Sequence, residues 1–193
     1  MSTLVAFLEE PSAAVMLKAV APLILPQGFE LKCITFEGKQ DLERNIERKL
    51  RGWQTPDTLF MVMRDRDSED CRQVKDRLTE ICHRAGRPNA LVRIACGELE
   101  SFYLGDLEAV SVAFGLKMSE SRKAKFRHPD NLGNAAEELR RLTNGRYQKI
   151  SGSRLIAPHL KVDGTNRSQS FNVLLSGVRR IVGNMRDGEV GVP

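Results

Sequence analysis

Asp65 and Asp67 stand one residue apart just past the apolar run at residues 59–63, where a buried strand would hand over to a turn. Along a strand, residues i and i+2 share a face, about 6 to 7 Å apart at the backbone, so two carboxylates there can converge on one hard cation. Oxygen donors of this kind suit magnesium or manganese. An Asp-x-Asp also occurs as ordinary turn and helix-cap chemistry. The metal reading therefore leans on Glu9, which ends another apolar run, residues 4–8, in the same way. Glu98 and Glu100 follow a third such run and share a face if extended but diverge if helical, with Glu98 favoured as nearer the strand end.

Elements able to hold these acids can be read from the hydropathy pattern. Strand-like runs at 3–8, 31–36, 58–63 and 90–95 are each followed by a helical stretch. The first begins at Pro11-Ser12 and is expected to break or kink near Pro22. The second carries Leu42, Ile46 and Leu50 on one stripe, and the third Val74, Leu78, Ile81 and Cys82. Alternating strands and helices predict an α/β fold with a small parallel sheet of about four strands, flanked by helices. Ligands of such sheets bind outside the carboxyl ends of the strands, where Glu9 and Asp65 both fall. Beyond residue 117 the pattern turns helical, and the last helix, carrying Phe171, Leu174, Leu175 and Val178, is expected to close at Gly183-Asn184.

At 193 residues the chain is about one domain long. The expected organisation is a metal-binding α/β core at 1–116, a basic helical C-terminal part at 117–184 packed on it, and a flexible tail at 185–193. No apolar run is long enough for a membrane span and no signal peptide is evident, so a cytoplasmic location is expected. Cys33, Cys71, Cys82 and Cys96 are scattered without a CxxC, which argues against zinc and structural disulfides. Charge is uneven: residues 1–116 hold 15 Lys and Arg against 18 Asp and Glu, whereas residues 117–193 hold 15 against 7. Acids for a cation beside bases for a backbone are what cutting a phosphodiester needs. Arg122, Lys123, Lys125 and Arg127 form the densest basic run, suited to tracking DNA or RNA without reading bases. Arg167 and Ser168 open the last helix, a natural phosphate seat, with helix capping as Ser168's other role.

A strand ending in Glu9, a strand ending in Asp65-Arg66-Asp67 and further acids after the next strand resemble the Toprim catalytic domain of topoisomerases, primases and OLD-family nucleases. The match is closer to a bacterial Toprim-related family of unknown function. It rests on residues 8–13, on residues 62–67 with Asp70-Cys71, and on Arg93-Ile94 leading to Glu98-Leu99-Glu100. Farther on it rests on residues 126–130, on Tyr147-Gln148-Lys149 and on residues 166–171. This resemblance implies a divalent-metal-dependent nuclease, with Glu9 as ligand or general acid or base and Lys149 stabilising charge on the phosphate. Two features depart from the Toprim pattern: Glu10 stands where a glycine is common, and Ala13 where an acid is frequent. The set thus holds one or two ions, with Glu10, Asp70, Glu98 or Glu100 able to compensate. The resemblance further implies an effector subunit for anti-phage defence or DNA processing, working with a separate AAA or ABC-type ATPase, since no GxxxxGK[ST] occurs; whether it is also a homo-oligomer is left open by the sequence. A non-catalytic subunit of an ATPase complex and a small-molecule phosphoesterase are the alternatives.

Overall fold

Each apolar run forms a strand, and each amphipathic stretch after it crosses back over the sheet. The computed structural model describes residues 1–119, 124–186 and 188. Its order is β1 (Ser2–Leu8), α1 (Pro11–Ile24), β2 (Phe29–Thr35), α2 (Lys39–Arg51), β3 (Thr58–Asp65), α3 (Cys71–Arg84) and β4 (Leu91–Ala95). The helices α4 (Glu100–Leu104), α5 (Leu107–Phe114), α6 (Ala135–Leu142), α7 (Lys149–Ile156) and α8 (Gln169–Arg186) follow, with 3-10 turns at Pro129–Asn131 and Ala157–His159. The strands make one parallel sheet in the order β2-β1-β3-β4, with Leu8 opposite Met63 and Asp65 opposite Ala95. This is the expected α/β architecture with its helical C-terminal extension. No helix among the described residues is long and apolar enough to cross a membrane.

Strand alternation sorts the core into two layers. Leu4, Ala6, Leu8, Met61 and Met63 join α1 and the C-terminal helices, through Phe102, Tyr103, Leu139, Ile156 and Phe171, in the larger core. Val5, Phe7, Phe60 and Val62 join Leu42, Ile46 and Leu50 of α2 and Val74 and Leu78 of α3 in the smaller one. The helix after β1 thus covers one face and the helix after β3 the other. Loops leaving the carboxyl ends of these neighbouring strands part in opposite directions, which opens a crevice between them. Glu9 and Asp65 stand at that opening.

Two helices run past the breaks suggested by the sequence pattern. Helix α1 runs through Pro22 to Ile24. Pro22 lies in the final turn, where its missing N–H costs one helical bond, and the Leu25 N–H still reaches the Ala21 carbonyl at 2.8 Å. Helix α8 continues past Gly183-Asn184 to Arg186, because Gly183 does not take the left-handed conformation that ends a helix. Of the expected tail, residues 187 and 189–193 lie outside the described residues.

Candidate active site

The pairing of β1 with β3 brings Glu9 beside Asp65, and the Glu9 Oε2 accepts the Asp65 backbone N–H at 2.9 Å. Protein atoms crowd the Asp65 carboxyl on nearly every side, yet part of the residue stays open to solvent. Burial, followed by the charges of Glu10, Glu9 and Glu100, holds this carboxyl well above the ordinary aspartate range, against a hydrogen bond from the Leu99 backbone. Burial likewise raises Glu9, although the Asp65 N–H and the Arg64 guanidinium oppose it. Glu100, the first residue of α4, is completely buried. Burial raises its carboxyl too, while the Tyr147 hydroxyl, donating to Oε1 at 2.7 Å, restrains the shift. The other Glu100 oxygen, Oε2, is buried with no hydrogen-bond partner.

One lysine faces this acidic group. Lys149 opens α7, and its Nζ donates to Glu10 Oε2 at 2.7 Å, while Glu10 Oε1 accepts the Ser12 hydroxyl. Burial pulls the Lys149 ammonium down, but the Glu10 hydrogen bond and the charges of Glu10, Glu100 and Asp65 carry it up to about 12. It therefore stays charged. Tyr147, which orients Glu100, lies against Gly152; a Cβ at that glycine would meet the ring at 2.2 Å, so the ring's seat exists only because residue 152 lacks a side chain.

Arg64 closes the other side of the crevice. Its fully buried guanidinium donates to Glu43 Oε1 at 2.6 Å, to Glu69 Oε1 at 2.8 Å and to the Asp65 carbonyl at 2.9 Å. Its Nε stands 3.9 Å from Glu9 Oε2. Asp67 lies on this side as well, close enough to Glu9 for its charge to raise that carboxyl. The chain leaves extended geometry at Asp67, where φ is 54°, so the strand rule that would align it with Asp65 no longer applies. The Asp67 carboxylate instead pairs with Lys39 at 2.9 Å.

Residues 8–179 match the family described as Domain of unknown function (DUF4276). The chain belongs to this family. No curated protein matches it. Among solved structures, the DUF4276 chain is similar to the C-terminal region of the Burkholderia pseudomallei OLD protein, with TM-score 0.54, 19% identity, and 93% of this chain and 98% of that one covered. It is also similar to the C-terminal region of the Xanthomonas campestris pv. campestris OLD protein, with TM-score 0.51, 13% identity, and 96% and 98% covered. At these identities the likeness is one of fold.

Other candidates of the DUF4276 chain are engaged elsewhere. Glu98 Oε2 accepts the Ala136 N–H at 2.6 Å at the start of α6, so Glu100 and not Glu98 is the acid turned toward Asp65. Asp70 caps α3, accepting from the backbones of Arg72 and Gln73. At the start of α8 the anion's place is already filled: Asp130 accepts the Ser168 hydroxyl at 2.6 Å and the Ser170 N–H at 2.8 Å. Ser168 is buried and caps Phe171, and the Arg167 N–H donates to the Gly105 carbonyl. Lys125 pairs with Glu138 at 2.5 Å, Arg127 is exposed, and Arg122 and Lys123 lie outside the described residues. The sequence reading gave no role to Arg64, although a basic residue ending an apolar run is its one visible signal.

Glu9, Asp65 and Glu100 are the residues that would hold a divalent cation. They offer only oxygen, and the orphaned Glu100 Oε2 together with three raised carboxyls marks a group short of positive charge. As they stand, no three His, Cys, Asp or Glu side chains among the described residues are grouped closely enough to hold an ion. Ligation would require the side chains to turn inward.

Proposed function

We propose that this chain is a divalent-metal-dependent nuclease of Toprim type, hydrolysing phosphodiesters of DNA or RNA. The carrying observation is the crowding of Asp65 by Glu9, Glu10 and Glu100 at the carboxyl ends of the central strands, with Lys149 as the facing cation. Bound there, magnesium or manganese would neutralise a phosphate and lower the pKa of a coordinated water. Glu9 suits proton transfer, since burial gives its carboxyl a higher proton affinity than an ordinary glutamate has. Lys149 remains protonated and, on leaving Glu10, supplies a point charge to a phosphate oxygen. Tyr147 fixes Glu100, and Arg64 fixes the turn carrying Asp65.

Both solved neighbours are C-terminal regions of larger proteins, which supports a reading in which such a domain works beside another module. We propose a separate AAA or ABC-type ATPase as that module, the partner that the resemblance to OLD-family nucleases implies. Bacterial anti-phage defence or DNA processing is the setting this assignment implies. The Lys149–Glu10 ion pair favours a second reading, a docking subunit whose acids are balanced internally. Manganese or magnesium titration separates the two. The nuclease reading expects a metal-dependent rise in melting temperature and cleavage of DNA or RNA, both lost in Asp65→Asn. If metal neither stabilises the protein nor supports cleavage, and Asp65→Asn changes nothing, the docking subunit stands and the nuclease does not.

A further inference from the structure

The four cysteines, unremarkable in sequence, are not equivalent in the fold. Cys33 is half-buried and Cys82 is buried, each without a sulfur neighbour, whereas Cys71 and Cys96 meet with their Sγ atoms 2.6 Å apart. That separation lies well inside ordinary sulfur contact and about half an ångström beyond a disulfide bond. Both thiols are fixed by their surroundings. Cys71 is the first residue of α3, directly after the Asp70 cap. Cys96 follows the end of β4 and precedes Gly97, whose φ of 119° would strain any side chain and whose Cβ position lies tight against Ser101 and the Leu132 carbonyl. Between them, the Arg66 backbone N–H donates to the Ala95 carbonyl at 2.9 Å, tying the turn after β3 to the end of β4.

We propose that Cys71 and Cys96 form a reversible intramolecular disulfide, a redox-sensitive clasp beside the acidic crevice. With hydrogen peroxide as oxidant, one thiol is oxidised to a sulfenic acid and one water is released. The second sulfur then attacks the sulfenic sulfur, the S–S bond forms, the S–O bond breaks, and the hydroxyl leaves as water with the second thiol's proton. Two electrons pass from the sulfurs to the peroxide O–O bond. The bond requires little backbone movement, since the turns carrying the two residues are already in place. It joins the segment holding Asp65 and Asp67 to the segment leading into Glu100, so the oxidised form has its acid-bearing loops covalently linked. This assignment stands on sulfur placement and is independent of the nuclease reading.

Peptide mapping of the full chain after peroxide treatment tests it. Trypsin places Cys71 in residues 67–72 and Cys96 in residues 94–117. The expected product is these two peptides joined, two hydrogens lighter than their sum, separated by dithiothreitol and persisting in Cys33→Ser and Cys82→Ser. Oxidation should raise the melting temperature by roughly 6 to 12 °C, as closing a loop across 25 residues of sequence separation implies, and Cys71→Ser or Cys96→Ser should lose both the joined peptide and the shift. Separate alkylation of Cys71 and Cys96 after oxidation, stepwise oxidation without joining, or crosslinks only between chains would each overturn the proposal.

Discussion

Replacing Arg64 by methionine tests the account of the crevice most directly, because the change keeps an unbranched apolar stem and removes the charged head. Arg64 is fully buried and donates three hydrogen bonds of 2.6 to 2.9 Å, two of them to carboxylates. Removing one partner of a buried ion pair costs about 3 to 5 kcal/mol when the charge left behind has no other recourse. Here it has some. Glu43 and Glu69 are 26% and 33% exposed and keep Arg77 at 3.0 and 2.7 Å. The lower end is therefore expected, about 3 kcal/mol, or a fall in melting temperature of roughly 6 to 12 °C for a chain of this length. Urea unfolding measures it as a lower midpoint with an unchanged slope. The deficit also has a pH signature. Hydrogen bonds from Arg77 and then Arg64 hold Glu69 down at about 2 from its ordinary 4.5, so the stability they confer is present above that value and disappears as pH falls through 2. The gap between wild type and variant should narrow across the same window. A loss below about 1 kcal/mol at pH 7, or a gap that widens on acidification, would refute the view that Arg64 organises this turn.

Two further outcomes follow from the acids themselves. Asp65 is raised in the fold, so the native state holds its proton more tightly than the unfolded chain, and metal-free stability should decline as pH climbs from the ordinary aspartate value of 3.8 through the raised one. Asp65→Asn removes that decline; paired urea curves from pH 4 to 8 should show the variant gaining on wild type as pH rises, and parallel curves would count against the crowding. Tyr147→Phe deletes the 2.7 Å bond to a buried carboxyl already lacking a partner at Oε2, for a loss of about 2 kcal/mol. In a double-mutant cycle with Glu100→Leu, which removes the acceptor, the two effects should depart from additivity by more than about 0.5 kcal/mol.

The opposition of Glu9 and Asp65 was legible in the chain because it needs only two neighbouring parallel strands and the rule that sites lie past their carboxyl ends. Glu100 was harder to choose over Glu98, since the choice depends on helical phase: α4 starts at Glu100, and Glu98 turns back to serve α6 38 residues later. The strand rule does not extend to Asp67, because a non-glycine residue takes positive φ there, a conformation that composition does not announce. The phosphate seat at α8 is already filled by Asp130, which lies 38 residues before Ser168 and reaches it only through tertiary folding. Cys71 and Cys96 looked scattered for the same reason.

What links these particulars is the parity of β3. Phe60 and Val62 enter the core shared with α2 and α3, and Arg64, continuing that face, reaches Glu43 on α2. Met61 and Met63 enter the opposite core, and Asp65, continuing theirs, comes under the influence of Glu100 from α4 and helps raise Lys149 at the head of α7. The sheet's two layers thus contribute a cation from opposite sides, Arg64 through the strand and Lys149 across the crevice, with Glu9 and Asp65 at the seam. A one-residue slip of β3 would exchange the two faces, setting a carboxylate among Glu43 and Glu69 and a guanidinium among the acids that crowd Asp65. The apolar residues of β3 prevent that slip, since Met61, Val62 and Met63 would have to leave their cores together. The register that buries the strand is therefore the register that assembles the acids.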